Sequence, residues 1–230
     1  MPRTPPLAND LWMAAHDTPR GDSQLQPRPL GIALTGGLLA ELTLGNWIWV
    51  QDDLIHLNPD GYRYTVEDPA LGPLMERLRE DARDKNARRP HHAPEPAPLE
   101  LDYWVQRLQI DLAQELVEIR LRDEGLILPE ERGVLRKKTV WVPTNANVAG
   151  WPASRLRTSL REGSSLTEQD LALAGLVMAV GLAKPVLADL GPRHLEFLAQ
   201  QTQAKMRPAL LSIMVTAEHQ LGKWALTGRR

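Results

Sequence analysis

Residues 30–50 read LGIALTGGLLAELTLGNWIWV. From Leu30 to Leu44 the stretch is apolar nearly all round, and a helix without a polar face is one buried on every side. Gly36 and Gly37 at its centre each cost roughly 1 kcal/mol of helix propensity relative to Ala. Glycines in so greasy a segment are read as places where neighbouring helices approach closely. Gly45 closes the helix, as glycine commonly does. WIWV, the turn QDD and LIHL then read as a short β-hairpin.

Working outward, LANDLWMAAH (7–16) gives only a hint of helical patterning, and TPRGDSQLQPRP (18–29) has the composition of a loop. Downstream, Leu71, Leu74, Met75, Leu78 and Ala82 fall on one stripe of an amphipathic helix. Residues 89–99 form a proline-rich stretch, expected as an exposed loop. Trp104, Leu108, Leu112, Leu116 and Ile119 recur at intervals of three and four, which predicts one long helix ending near Glu124-Gly125. GLIL, the turn PEERG and VLRKKTVWV follow as a second hairpin, then WPASRLRTSLREG (151–163) as a short basic helix. Thr167 with Asp170 makes a capping-box-like start for a core helix, LALAGLVMAVGLA (171–183). Pro185 should kink or end it, Pro192 can start the next helix, and ALLSIMVTAEHQLGKWAL (209–226) is the last. The expected fold class is mainly α, a single helical domain over 1–230 with two small β-hairpins and with 1–6 and 226–230 as flexible tails.

Composition narrows the function classes. An apolar fraction of 43% supports a packed core, and a formal net charge of -2 supplies no global basic field for nucleic acid or membranes. Any such attraction must come from local patches. The chain has no cysteine, so thiol catalysis, disulfides and cysteine metal clusters are excluded, and a reducing, cytoplasmic setting fits. The N-terminus lacks the apolar run of a signal peptide, and segment 171–183 falls short of the ~20 residues that a spanning helix needs.

Catalytic chemistry finds few candidates. GIALTGG has glycines spaced like a phosphate loop but lacks the Lys-Ser/Thr that would hold phosphate and magnesium. His91 and His92 sit in the proline-rich stretch with no third ligand fixed near them, and Asp52-Asp53 and Asn58-Pro59-Asp60-Gly61 are turn chemistry. Glu41, inside the apolar helix, is expected to pair with an arginine or cap a backbone group if it is buried. No cofactor, metal or active site is expected, and the protein reads as a non-enzyme.

In its order of elements the sequence resembles the Golgi phosphoprotein 3 family, and specifically its compact bacterial members. The resemblance begins at LANDLWMAAHD and is clearest at LGIALTGGLLAELTLGNWIWV. It continues through LGPLMERLRE, LVEIRLRDEGLIL, the second hairpin and LTEQDLALAGLVMAV. It implies a mostly helical protein without enzymatic activity, a peripheral membrane adaptor recognising phosphatidylinositol 4-phosphate. Membrane contact and self-association through the second hairpin, and binding to tails of client membrane proteins, are implied with it. The lipid-pocket arginines of eukaryotic relatives fall at Thr35, Asp111 and Gln114 here, and their pocket tryptophan falls near Gln26. Each lost arginine removes a charge-assisted contact worth roughly 1.5–3 kcal/mol, and an acidic residue there repels phosphate. The resemblance therefore implies the scaffold with another head group, or none.

The second hairpin, read as basic and tipped by Trp141, carries the candidate lipid-binding residues Arg136, Lys137, Lys138, Val140, Trp141 and Val142. As a membrane device, each cation contributes about 1 kcal/mol near an anionic leaflet, and burying the indole and its neighbours adds about 2–3 kcal/mol. The alternative is that Val140 and Val142 pack inward while Trp141 covers the helical core, and alternation along the strand leaves both open. A winged-helix nucleic-acid binder is the rival class, disfavoured by the acidic net charge and the lack of a basic recognition helix.

Overall fold

The computed structural model describes residues 5–59, 64–87, 97–110, 112–133 and 137–227. In chain order the elements begin with α1 (Leu7–Ala15), α2 (Pro27–Leu44), β1 (Ile48–Gln51), β2 (Leu54–Leu57), α3 (Leu71–Ala87) and β3 (Leu99–Glu100). They continue with α4 (Leu101–Leu108), α5 (Leu112–Asp123), β4 (Ile127–Arg132) and β5 (Lys138–Pro143). The rest is helical: α6 (Ala146–Glu162), α7 (Glu168–Ala179), α8 (Ala183–Val186), α9 (Pro192–Lys205) and α10 (Pro208–Thr227). The fold is mainly α with two small antiparallel sheets, as the sequence predicts.

The apolar helix is the axle. Every residue of α2 from Pro29 to Thr43 except Glu41 is buried, and α1, α4, α5, α7 and α10 all pack against it. The glycines do what their placement predicts. A methyl group on Gly36 would press on the Leu176 side chain of α7, and one on Gly37 on Ala8 and Leu11 of α1. Gly31 is the tightest: a β-carbon there would overlap the backbone carbonyl of Gln109, just past the end of α4. Helix α1, only hinted at by its pattern, is buried along its whole length, including Asn9 and Asp10.

The first hairpin is where expected, with its second strand as read and its first one residue later, since Gln51 pairs with Leu54 and Trp47 stays outside the ladder. Asp52 and Asp53 both take positive φ in its turn, the geometry whose twist matches antiparallel strands. Leu99 and Glu100 add a third strand by pairing with Ile55 and Leu54. The stretch expected as an exposed loop over 89–99 therefore ends in the interior, with Ala97 and Leu99 buried; residues 88–96, with His91 and His92, lie outside the described residues.

Four helical expectations are corrected. The long helix from Trp104 is two helices, α4 and α5, because their apolar stripes keep the same phase across the break and periodicity cannot see it. The core helix ends at Ala179, ahead of Pro185, because Gly181 takes φ +83 and lets the N–H of Leu182 reach back to the carbonyl of Val177. Pro185 falls inside α8. The basic helix starts earlier than Trp151, at Ala146, since the Asn145 side chain accepts the N–H of Val148 as its N-cap. Helix α10 continues through Thr227, into the stretch expected as a tail. Thr167 does cap α7, accepting the N–H of Asp170 at 3.1 Å.

Candidate functional site: a groove between α5 and the second hairpin

The second hairpin turns later than the sequence suggests. PEER is part of β4 rather than the turn, and the register pairs Ile127 with Pro143, Pro129 with Trp141 and Arg132 with Lys138. Trp141 thus lies three pairs back from the Arg132–Lys138 end of the ladder instead of at the tip. It is half-buried against the helical core, and the guanidinium of Arg122 sits 5.0 Å from the indole centroid. An indole held this way covers the core with one face and carries a cation on the other.

Beside it runs a groove of about 440 Å³. Helix α5 forms one wall with Gln114, Glu115, Glu118, Ile119 and Arg122; β5 forms the other with Lys138 and Trp141, and Pro27 closes an end. The spacing 115, 118, 122 puts those three side chains on one helix face. Glu118 is fixed in place: Gln114 Nε2 donates to its Oε1 at 2.7 Å, and Trp12 Nε1 reaches the same oxygen at 3.4 Å. Burial raises the Glu118 carboxyl above its ordinary pKa, opposed by those two hydrogen bonds and by the charge of Arg122. Glu115, Arg122 and Lys138 are exposed. Among the described residues none of the three makes a salt bridge.

The sequence-derived site residues disperse. Lys138 and Trp141 reach the groove, Lys137 is exposed just before β5, and Val140 and Val142 are half-buried. Arg136 and Asp111 lie outside the described residues. Gln114 is in the groove, engaged with Glu118. Thr35 cannot meet a head group: it is fully buried, and its hydroxyl donates to the carbonyl of Gly31 at 2.8 Å. Gln26 stands at the N-cap position of α2 with an extended backbone and no capping hydrogen bond from its side chain.

Behind the groove lies a buried ionic network, of which the sequence signalled the Glu41 end but not Arg120, Asp68 or Asn9. Arg120, 1% exposed, donates to Glu41 from both terminal nitrogens (2.7 and 3.0 Å), to Asp68 at 3.2 Å and, through Nε, to Asn9 at 2.8 Å. Glu41 also accepts the N–H of Ala8 at 2.6 Å, so it both pairs with an arginine and caps a backbone group. Burial raises the Glu41 carboxyl, against the charge and hydrogen bonds of Arg120. Burial alone would lower the Arg120 guanidinium, but Glu41 and Asp68 outweigh it and raise it. The readable signal was an arginine on the apolar face of α5, beside Leu116, Val117 and Leu121. A second arginine, Arg155, ties Asp10 (2.8 Å) to Asp170 (2.9 Å).

A larger cleft of about 800 Å³ opens beside the Arg120 network, with Glu67, Asp68, Asp123 and Glu124 among its lining. Its acidic rim has the wrong sign for an anionic surface. No helix among the described residues is long and apolar enough to cross a membrane. No group of three His, Asp or Glu side chains among them is placed to hold a metal.

No curated protein matches the chain. The family model of Golgi phosphoprotein 3 (GPP34) matches residues 7–217, from the first residue of α1 to well inside α10. With its buried small-residue helix, its two hairpins and its helical shell accounted for by that match, the chain belongs to the Golgi phosphoprotein 3 (GPP34) family.

Proposed function

We propose that this protein is a non-enzymatic peripheral membrane adaptor, cytoplasmic and held at the inner face of the membrane. It docks on anionic lipid through the α5–β5 surface and self-associates to bind more tightly. The observation that carries this reading is the clustering of Lys138, Arg122 and Trp141 at one groove of a family scaffold that offers no spanning helix among its described residues. Lys137, Lys138 and Arg122 contribute about 1 kcal/mol each near an anionic leaflet. With Trp141 half-covered by the core, the apolar share is smaller than for an exposed indole, so one copy binds weakly and two or more bind usefully. The lipid is an anionic phospholipid in general: neither Thr35 nor Gln114 offers a cation to a phosphomonoester.

Client tails fit the other cleft. Cytoplasmic segments next to membrane spans carry an excess of Lys and Arg, and the cleft lined by Glu67, Asp68, Asp123 and Glu124 is complementary to them. Co-sedimentation with phosphatidylcholine vesicles, with and without phosphatidylglycerol, tests the membrane reading. Binding should need the anionic lipid, fall as salt rises and weaken in Lys138→Glu. Binding to duplex DNA without binding to any vesicle would favour the nucleic-acid reading instead.

A further inference from the structure

The α5–β5 groove carries both signs of charge. Arg122 and Lys138 face it with positive charge, Glu115 and Glu118 with negative charge. The exposed cations Lys137, Lys138 and Arg122 draw the surface toward an anionic bilayer as a whole, but inside the groove a head group bearing only phosphate would set its anionic oxygens against two carboxylates, and like charges a few ångströms apart repel. A ligand bearing only an amine would meet the same difficulty with the two cations. The Arg122 charge acts on Glu118 across one helical turn, but neither Arg122 nor Lys138 closes a salt bridge among the described residues, so both keep donors for a ligand.

Resting on the membrane reading above, we propose that this groove takes a zwitterionic phospholipid head group of the ethanolamine type, with its phosphodiester at Arg122 and Lys138 and its primary ammonium at Glu115 and Glu118. Glu118 and Arg122 lie one helical turn apart on α5, about 6 Å along the axis, a span suited to a phosphate and an amine joined by two carbons. The hydrogen bonds from Gln114 and Trp12 hold the Glu118 carboxylate before any ligand arrives, which lowers the ordering cost of binding. The geometry also selects among amines. A quaternary choline ammonium has no N–H to donate and needs open aromatic faces. The indole of Trp141 already carries the Arg122 guanidinium on one face and packs against the core. A primary ammonium has three donors for the carboxylates.

The test titrates the intact protein with glycerophosphoethanolamine, glycerophosphocholine and glycerophosphoglycerol, followed by nuclear magnetic resonance, alongside sedimentation with phosphatidylglycerol vesicles. The ethanolamine compound should bind roughly ten-fold more tightly than the other two, and Glu115→Gln, at an exposed position, should remove that preference. Equal binding of the three, tighter binding of the glycerol compound, no binding, or a preference that survives Glu115→Gln overturns the inference. If vesicle binding persists in that case, the membrane reading stands. Ethanolamine preference without sedimentation on any vesicle overturns the membrane reading and, with it, the phospholipid as the source of the head group, leaving a site for a soluble phosphoethanolamine compound.

Discussion

Arg120 shows how much one side chain can decide. Buried and bonded to Glu41, Asp68 and Asn9, it joins α5 to α2, to α1 and to the segment before α3. Arg120→Met leaves Glu41 buried without its partner, a change that costs about 3–5 kcal/mol. Glu41 would answer by taking up a proton, so urea unfolding should show a larger loss at ~pH 8 than at ~pH 5. Adding Glu41→Gln to the same chain should recover part of it; a double variant as unstable as the sum of both singles would contradict the pairing. His16 gives a pH signature. Buried and stacked on Trp12 at 3.7 Å, its imidazole is lowered from 6.5 to about 4, chiefly by burial. The unfolded chain takes that proton first, so the stability His16 supplies is complete above pH 6.5 and is lost as pH falls toward 4, about 3 kcal/mol in all. Asp10 works in the opposite sense. Burial raises its carboxyl from 3.8 to about 6 against Arg155, so its contribution is complete below pH 3.8 and is lost as pH rises through 6. His16→Gln should flatten the acid-side fall in urea midpoint and Asp10→Asn should steepen it. Parallel profiles for wild type and both variants would refute the assignment.

At the scale of elements, what the sequence shows depends on whether the signal is local. The Thr167 cap, the turn at Asp52-Asp53 and the start of α9 at Pro192 are written in adjacent residues and appear where expected. The break between α4 and α5 is not, because it is visible only as a contact between the Gln109 carbonyl and Gly31, far away in the chain. Gly31→Ala should therefore destabilise by about 2 kcal/mol or more through overpacking. Gly222→Ala makes the control: the position is exposed, helical and has open space around it, so it should be neutral or slightly stabilising. Thermal unfolding midpoints compare the two, and equal midpoints would contradict the close approach. The late turn of the second hairpin has the same lesson. Pro129 and Gly133 look like turn residues, yet Pro129 is tolerated in a two-stranded ribbon, where every strand is an edge.

For the whole molecule, the family and the helical class were legible because a buried apolar helix flanked by glycine-mediated contacts constrains everything packed on it. The site was only half legible. Lys138 and Trp141 were named from their own strand, but Glu115, Glu118 and Arg122 come from α5, and no spacing within one element reveals a groove that two elements share. That groove makes the central claim an electrostatic one about a surface: cations of β5 and α5 draw the folded protein to an anionic bilayer. Sedimentation of wild type and of the Arg122→Glu, Lys138→Glu pair with phosphatidylglycerol-containing vesicles, at low and raised salt, tests it most directly. The account predicts that the pair, still folded by circular dichroism, loses binding by well over ten-fold and loses the salt dependence with it. Vesicle binding by the folded double variant at the wild-type level would contradict the account.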